Sequence, residues 1–176
     1  MKTKLLFLTL ALFSLSFVAC DDDDDNDVRP SQVPQTCLDA FQSMYPNVKN
    51  PEWERVGQYY TAEWKEGNGL RDVEAWFRTT PDASGSWAMT QTDYGKDLFL
   101  VPTELNVAFN KTEYSTAVID DIDLYEYPDS TRDIYVIEVT PRGERQDVLL
   151  VFRASDCTYL KAVPDNDIDI TPDTVL

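Results

Sequence analysis

Carboxylates are the side chains of this chain that could take part in chemistry. The 176 residues include 32 Asp and Glu, 15 Lys and Arg and no histidine, which gives a formal net charge of −17. Without histidine, Ser-His-Asp and Cys-His catalysis are excluded, and the commonest metal ligand is missing. Paired carboxylates could support acid–base or glycosidase chemistry. In a chain with 32 acidic residues, however, some carboxylates will lie close together by chance, so a close pair does not indicate catalysis. We therefore predict a non-enzymatic protein with no cofactor and no metal site.

The negative charge also limits the partners. Binding to nucleic acid or to an anionic membrane surface requires a basic patch, so neither is expected. Positively charged proteins or peptides are favoured electrostatically.

A repeated stretch predicts the elements that would position these side chains. Residues 60–78 align without a gap to residues 135–153, and a repeat this long fits a duplicated subdomain. The identical pairs are Tyr60/Tyr135, Glu63/Glu138, Asp72/Asp147, Val73/Val148, Phe77/Phe152 and Arg78/Arg153. Helical spacing and strand alternation predict an α+β fold of two tandem units, each a helix followed by four antiparallel strands. The predicted helices are 37–45 and 102–114, and the predicted strands are 53–56, 59–65, 71–78, 86–92, 118–126, 133–140, 146–153 and 158–163.

Alternation along the strands separates two sheet faces. One face is apolar in both units and is predicted to lie under the helices. The other face would normally be polar, yet Trp76, Leu149 and Val151 belong to it. We predict that this face is open and binds a protein or peptide, with Trp76 at its centre. The alternative is that a loop, the tether or the C-terminal tail covers these side chains as a minor core. The predicted binding residues are Tyr59, Glu63, Trp76, Arg78, Glu138, Leu149, Val151 and Arg153.

The order of aromatic residues resembles a known family. Phe41-x-x-x-Tyr45-Pro46 at the end of a helix is followed by Trp53, Tyr60-x-Ala62-x-Trp64, Val73-x-x-Trp76-Phe77 and Gly85-x-Trp87. This series is similar to the beta-lactamase-inhibitor-like, PepSY-like lipoprotein domains of bacterial envelopes, over about residues 38–163. The resemblance implies two units whose sheets form one concave surface, with the helices on the other face. It also implies a protein that restrains an envelope enzyme such as a peptidase.

The N-terminus has the pattern of a sorting signal. Lys2 and Lys4 precede an apolar run at 5–18, which is too short for a permanent membrane helix. Phe17-Val18-Ala19-Cys20 resembles a bacterial lipobox, which implies lipidation of Cys20 as the only membrane attachment. The acidic residues 21–25 resemble a surface-export signal of one group of Gram-negative bacteria. We expect an outer-membrane lipoprotein on the cell surface, with the periplasmic face as the alternative.

These features divide the chain into four predicted segments. They are a signal peptide (1–19), an acidic disordered tether (20–35), a domain (36–163, with units 36–95 and 101–163) and a flexible acidic tail (164–176). Cys37 and Cys157 remain for an oxidising compartment, and we favour a disulfide between them. The alternative is two separate buried thiols.

The function predicted from the sequence is binding without catalysis. A lipid-anchored envelope protein would hold a protein or peptide on its open sheet face and inhibit or modulate an envelope enzyme. The alternative is a surface structural lipoprotein that binds cations or a cationic ligand.

Overall fold

The computed structural model describes residues 27–80, 82–166 and 168–174. The predicted signal peptide, Cys20 and the acidic residues 21–25 lie outside the described residues. Within them, the helices are α1 (Gln35–Met44) and α2 (Thr103–Phe109), and short 3-10 turns span Pro30–Gln32 and Ser130–Arg132. The strands are β1 (Glu52–Val56), β2 (Tyr59–Glu66), β3 (Arg71–Arg78), β4 (Trp87–Asp93), β5 (Val118–Glu126), β6 (Ile134–Thr140), β7 (Val148–Arg153) and β8 (Tyr159–Pro164).

The eight strands form one antiparallel sheet in sequential order, so the fold is α+β. Each strand pairs with the next one along the chain, and β4 pairs with β5 at the centre of the sheet. The element order is one helix and four strands, followed by one helix and four strands. No helix in the described part of the chain is both long and apolar enough to cross a bilayer.

Helix α1 covers the first half of the sheet. Its Cys37 and Phe41 lie one turn apart and are buried against strand residues such as Ala62, Val73 and Phe77. The ring of Phe41 lies 5.4 Å from that of Trp53 and 5.5 Å from that of Trp64, both in edge-to-face geometry. Such aromatic contacts stabilise the core beyond the apolar area that they bury.

Helix α2 covers the second half but is shorter than predicted. Leu105 and Phe109 pack against a core that includes Ile122, Ile137 and Leu150. The sequence predicts a helix to residue 114, whereas α2 ends at Phe109. The Asn110 side chain donates a hydrogen bond to the Asn106 carbonyl at 2.8 Å, and asparagine competes with regular helical bonding in this way.

The two cysteines lie in different cores, so the predicted disulfide is wrong. Cys37 is packed under α1 and Cys157 belongs to the core under α2, and both thiols are free. Each half of the sheet buries its own helix, which keeps the two side chains apart. The alternative of two separate buried thiols describes the structure.

We therefore expect Cys37 and Cys157 to resist alkylation in the native protein. Burial raises the pKa of both thiols, which leaves little of the reactive thiolate. In urea without reductant, mass spectrometry should find both cysteines fully alkylated, as in a control sample that has been reduced first. Alkylation that appears only after reduction would contradict the free-thiol state.

Candidate functional site

The sheet face opposite α1 and α2, here called the helix-free face, contains most of the residues predicted to bind. Cross-strand pairs define it: Trp76 lies between Thr61 and Met89, and Glu74 lies between Glu63 and Gln91. The pairing of β4 with β5 and of β5 with β6 continues this face across the middle of the sheet. Its main side chains are Glu63, Glu74, Trp76, Met89, Asp93, Asp121, Asp123, Tyr125, Val136, Glu138, Leu149 and Val151.

One part of this face is apolar and covered. Trp76 and Leu149 are each 6% exposed and Val151 is 2% exposed, so the prediction that they are open to solvent is wrong. The apolar cluster consists of Tyr59, Trp76, Ala88, Met89, Tyr125, Tyr127, Val136 and Leu149, and Ile170 from the C-terminal segment packs against it. The alternative expectation of a minor core under the tail describes the part of this face that contains Trp76, where Ile170 packs against the cluster.

Contacts with Asp173 fix the C-terminal segment over the apolar cluster. The Tyr59 hydroxyl and the Gln58 side-chain amide each donate a hydrogen bond to Asp173 Oδ2 at 2.8 Å. Arg78 Nη1 lies 3.8 Å from Asp173 Oδ1 and also donates to the Tyr59 hydroxyl at 3.0 Å. The sequence predicts a flexible tail from residue 164, yet residues 168–174 lie against the sheet. Arg153, the corresponding residue of the repeat, instead pairs with Asp156 at 3.0 Å.

The other part of the helix-free face is an acidic band. Glu63 pairs with Glu74 across β2 and β3, Asp93 pairs with Asp123 across β4 and β5, and Asp121 lies opposite Glu138. Carboxylate oxygens of Asp93, Asp121 and Asp123 lie within 4.8 Å of one another. The acidic band is defined as Glu63, Glu74, Asp93, Asp121, Asp123 and Glu138.

Burial makes the charge of this band costly. It raises the pKa of Asp123 to about 7, Asp121 and Asp93 add to the rise, and a hydrogen bond from Gln91 opposes it. Burial likewise raises the pKa of Glu74, with Glu63 contributing. The pKa values of Glu63, Asp121 and Glu138 are also raised, by burial first and then by neighbouring carboxylates. A positive group placed on the band would relieve this repulsion.

Only part of this band is predicted by the sequence. Glu63 and Glu138 were predicted as binding residues, whereas Glu74, Asp93, Asp121 and Asp123 were missed. The alternation of Asp121 and Asp123 in β5 was a usable signal, because it places both on one face. Adding Asp93 required the pairing of β4 with β5, which joins the two predicted units. No metal site was predicted, although three close carboxylates are a ligand type that hard cations accept.

Comparisons with known proteins give the fold context. No family model and no curated protein matches the chain. Among solved structures, a BLIP-like protein from Bacteroides fragilis matches with a TM-score of 0.68 and 28% identity, covering 85% of this chain and 96% of that one. A DUF2874 family protein from Bacteroides ovatus matches with a TM-score of 0.64 and 26% identity, covering 75% of this chain and 87% of that one.

A third solved structure bears on location. It comes from Bacteroides eggerthii, and its name proposes a periplasmic location. It matches with a TM-score of 0.62 and 25% identity, and covers 75% of this chain and 88% of that one. The structural neighbours of this chain are thus BLIP-like and DUF2874 proteins of Bacteroides, consistent with the beta-lactamase-inhibitor-like family that its sequence resembles.

Proposed function

We propose that this protein is a non-catalytic envelope protein that binds another protein through its helix-free face, with basic side chains of the partner on the acidic band. The likeness to a BLIP-like protein supports a protein partner and a role without catalysis. The proposed consequence is inhibition or modulation of an envelope enzyme such as a peptidase.

The observation that carries this proposal is the row of carboxyl groups across the helix-free face. Burial there raises the pKa of Asp123, Asp121 and Glu74. Like charges have been gathered and partly buried on one face, although each would be more stable apart. Partner Lys or Arg side chains would form charge-assisted hydrogen bonds to Asp121 and Asp123 and would favour their charged forms. The same field would accelerate association with a basic surface.

Location and domain organisation belong to the same proposal. Cys20 would be lipidated and would anchor the chain in the outer membrane, facing the cell surface. The tether would be shorter than the predicted 20–35, because Val28 and Val33 pack in the core under α1. The units 36–95 and 101–163 would be copies that form one concave sheet. The periplasmic name of one structural neighbour supports an envelope location but favours neither side of the outer membrane.

The binding test uses a short fluorescent Lys/Arg-rich peptide as the probe. The triple variant Asp93→Asn, Asp121→Asn, Asp123→Asn is expected to bind it at least about tenfold more weakly than the natural sequence, because charge-assisted contacts are lost. Fluorescence anisotropy at a fixed salt concentration measures the affinity.

A matched control separates a site from general charge. Asp39→Asn, Glu113→Gln, Glu144→Gln makes the same change in net charge at exposed positions outside the acidic band. The control triple should bind the peptide almost as the natural sequence does. Equal weakening by both triples would show attraction to the whole surface and would contradict the proposed site.

The alternative function, binding of a cation or of a small cationic ligand, is favoured by the close approach of Asp93, Asp121 and Asp123. Calorimetric titration with Ca²⁺ alone distinguishes it from protein binding. Saturable heat that is lost in the triple variant, together with no binding of the basic peptide, would favour this alternative.

A further inference from the structure

We infer that the apolar cluster is a second interaction surface, which the chain's own tail (residues 168–174) occupies in cis. Its ligand class is an extended peptide that carries an aliphatic side chain followed three residues later by a carboxylate. The inference rests on the proposed function in one respect. A partner that is bound to the acidic band can contact the apolar cluster only after the tail has left it.

The carboxylate of the tail is received by a group of donors. Tyr59 and Gln58 each donate to Asp173 at 2.8 Å, and the Arg78 guanidinium lies 3.8 Å away. Arg78 also lies over the Tyr59 ring, 5.3 Å from its centroid, and donates to its hydroxyl. The donors therefore position one another, as expected of a site that recognises a carboxylate by direction as well as by charge.

The aliphatic side chain of the tail meets an aromatic and methionine surface. Ile170 packs on the apolar cluster, and Pro172 is buried. Beneath the tail, the rings of Tyr59 and Trp76 lie 5.6 Å apart in edge-to-face geometry, beside the fully buried Met89. Trp, Tyr and Met are the residues enriched in protein interfaces, and Met adapts its shape to different ligands.

The bonding of the tail suits a cover that can leave. Its backbone bonds to itself: Thr174 N–H donates to the Thr171 carbonyl at 2.9 Å, and the Thr174 hydroxyl donates to the Asp169 carbonyl at 3.0 Å. The contacts with the sheet described above are made by side chains, and the Asp173 side chain is 55% exposed. A segment held by a few side chains opens locally at far lower cost than a paired strand does.

The test presents the tail as a separate ligand. The probe is a fluorescent peptide with the sequence of residues 168–174, and the protein is the full chain with Ile170→Ala and Asp173→Asn, which loosen its own tail. This variant is expected to bind the peptide saturably and at least about tenfold more tightly than the natural sequence, in which the tethered tail competes at high effective concentration. A peptide carrying Asp173→Asn should bind about tenfold more weakly, because it loses its charge-assisted contacts.

Asp169→Asn is the matched control, because Asp169 is an exposed carboxylate of the same segment. Placed in the protein or in the peptide, it should leave both affinities unchanged. Near-ultraviolet circular dichroism checks that the double variant is folded, and the single variant Asp173→Asn replaces it if it is not. A folded, loosened protein that binds the peptide no better than the natural sequence overturns the inference. If the tail peptide fails to bind but the basic peptide still binds the acidic band, the proposed function stands. If the tail peptide binds and the basic peptide does not, only the proposed function is overturned.

Discussion

Replacing Asp123 with asparagine is expected to stabilise the folded protein at neutral pH. The Asp123 side chain is buried beside Asp93 and Asp121, and its pKa is raised to about 7 from an ordinary value near 4. The carboxylate form is therefore disfavoured in the folded state. Asparagine keeps an oxygen that can accept the hydrogen bond from Gln91 and removes the charge. The expected gain at pH 7.5 is on the order of 2–4 kcal/mol.

The same shift predicts how stability depends on pH. Between about pH 4 and pH 7 the folded protein holds a proton on Asp123 that the unfolded chain has released, so the free energy of unfolding falls as the pH rises through this window. The Asp123→Asn variant should lose this part of the slope. Urea denaturation at pH 5 and at pH 7.5 measures both effects.

Asp120→Asn is the control on the same strand. The pKa of Asp120 is lowered, mainly by the hydrogen bond from the Thr140 hydroxyl, so its charged form is favoured in the folded state. Its neutralisation should lower stability at pH 7.5, the opposite sign to Asp123→Asn. If Asp123→Asn lowers stability as Asp120→Asn does, the repulsion assigned to the acidic band is absent.

Gly85→Ala is expected to destabilise the protein by about 3 kcal/mol or more. Gly85 has a φ of +81°, and a Cβ there would lie 2.5 Å from the carbonyl oxygen of Thr36. Because that contact is with backbone, the start of α1 would have to move and would carry Cys37 out of the core. Urea denaturation followed by circular dichroism measures the loss.

Gly143→Ala is the control that measures the cost of a positive φ without a steric clash. Gly143 has a φ of +85° but no atom within 4 Å of the position that a Cβ would take. This substitution should cost only about 1 kcal/mol, from the left-handed conformation alone. Equal losses at the two glycines would show that the approach of Thr36 to Gly85 does not constrain the fold.

The sheet could be predicted from the sequence because its signals are local. Alternation and turn residues placed each strand to within about two residues, and the turn with Asn68 at positive φ closes the β2–β3 hairpin as its Gly-Asn-Gly sequence indicates. The glycine of the Gly85-x-Trp87 pattern is required by the close approach of the Thr36 backbone. The sequence does not predict the helix end at Phe109, because the apolar pattern continues beyond it. The Asn110 side chain bonds to the Asn106 carbonyl and competes with regular helical bonding there.

The functional face could be predicted only in part, because it depends on contacts between distant residues. Strand alternation correctly places Trp76, Leu149 and Val151 on the helix-free face. It cannot show which segments of the chain cover that face. Over Tyr59 and Trp76 the cover comes from Asp173 and Ile170, which lie far along the chain from them. An isoleucine and a proline within an acidic tail were the available sign that this segment has apolar surface to bury.

The most direct test of protein binding at the acidic band is backbone-amide NMR of the full chain with the basic peptide added stepwise. If the partner binds there, the shifted signals will be concentrated in β3 to β6, at Glu74, Asp93, Asp121, Asp123 and Glu138. Shifts concentrated in α1 and α2, or spread evenly over the exposed carboxylates, would contradict it.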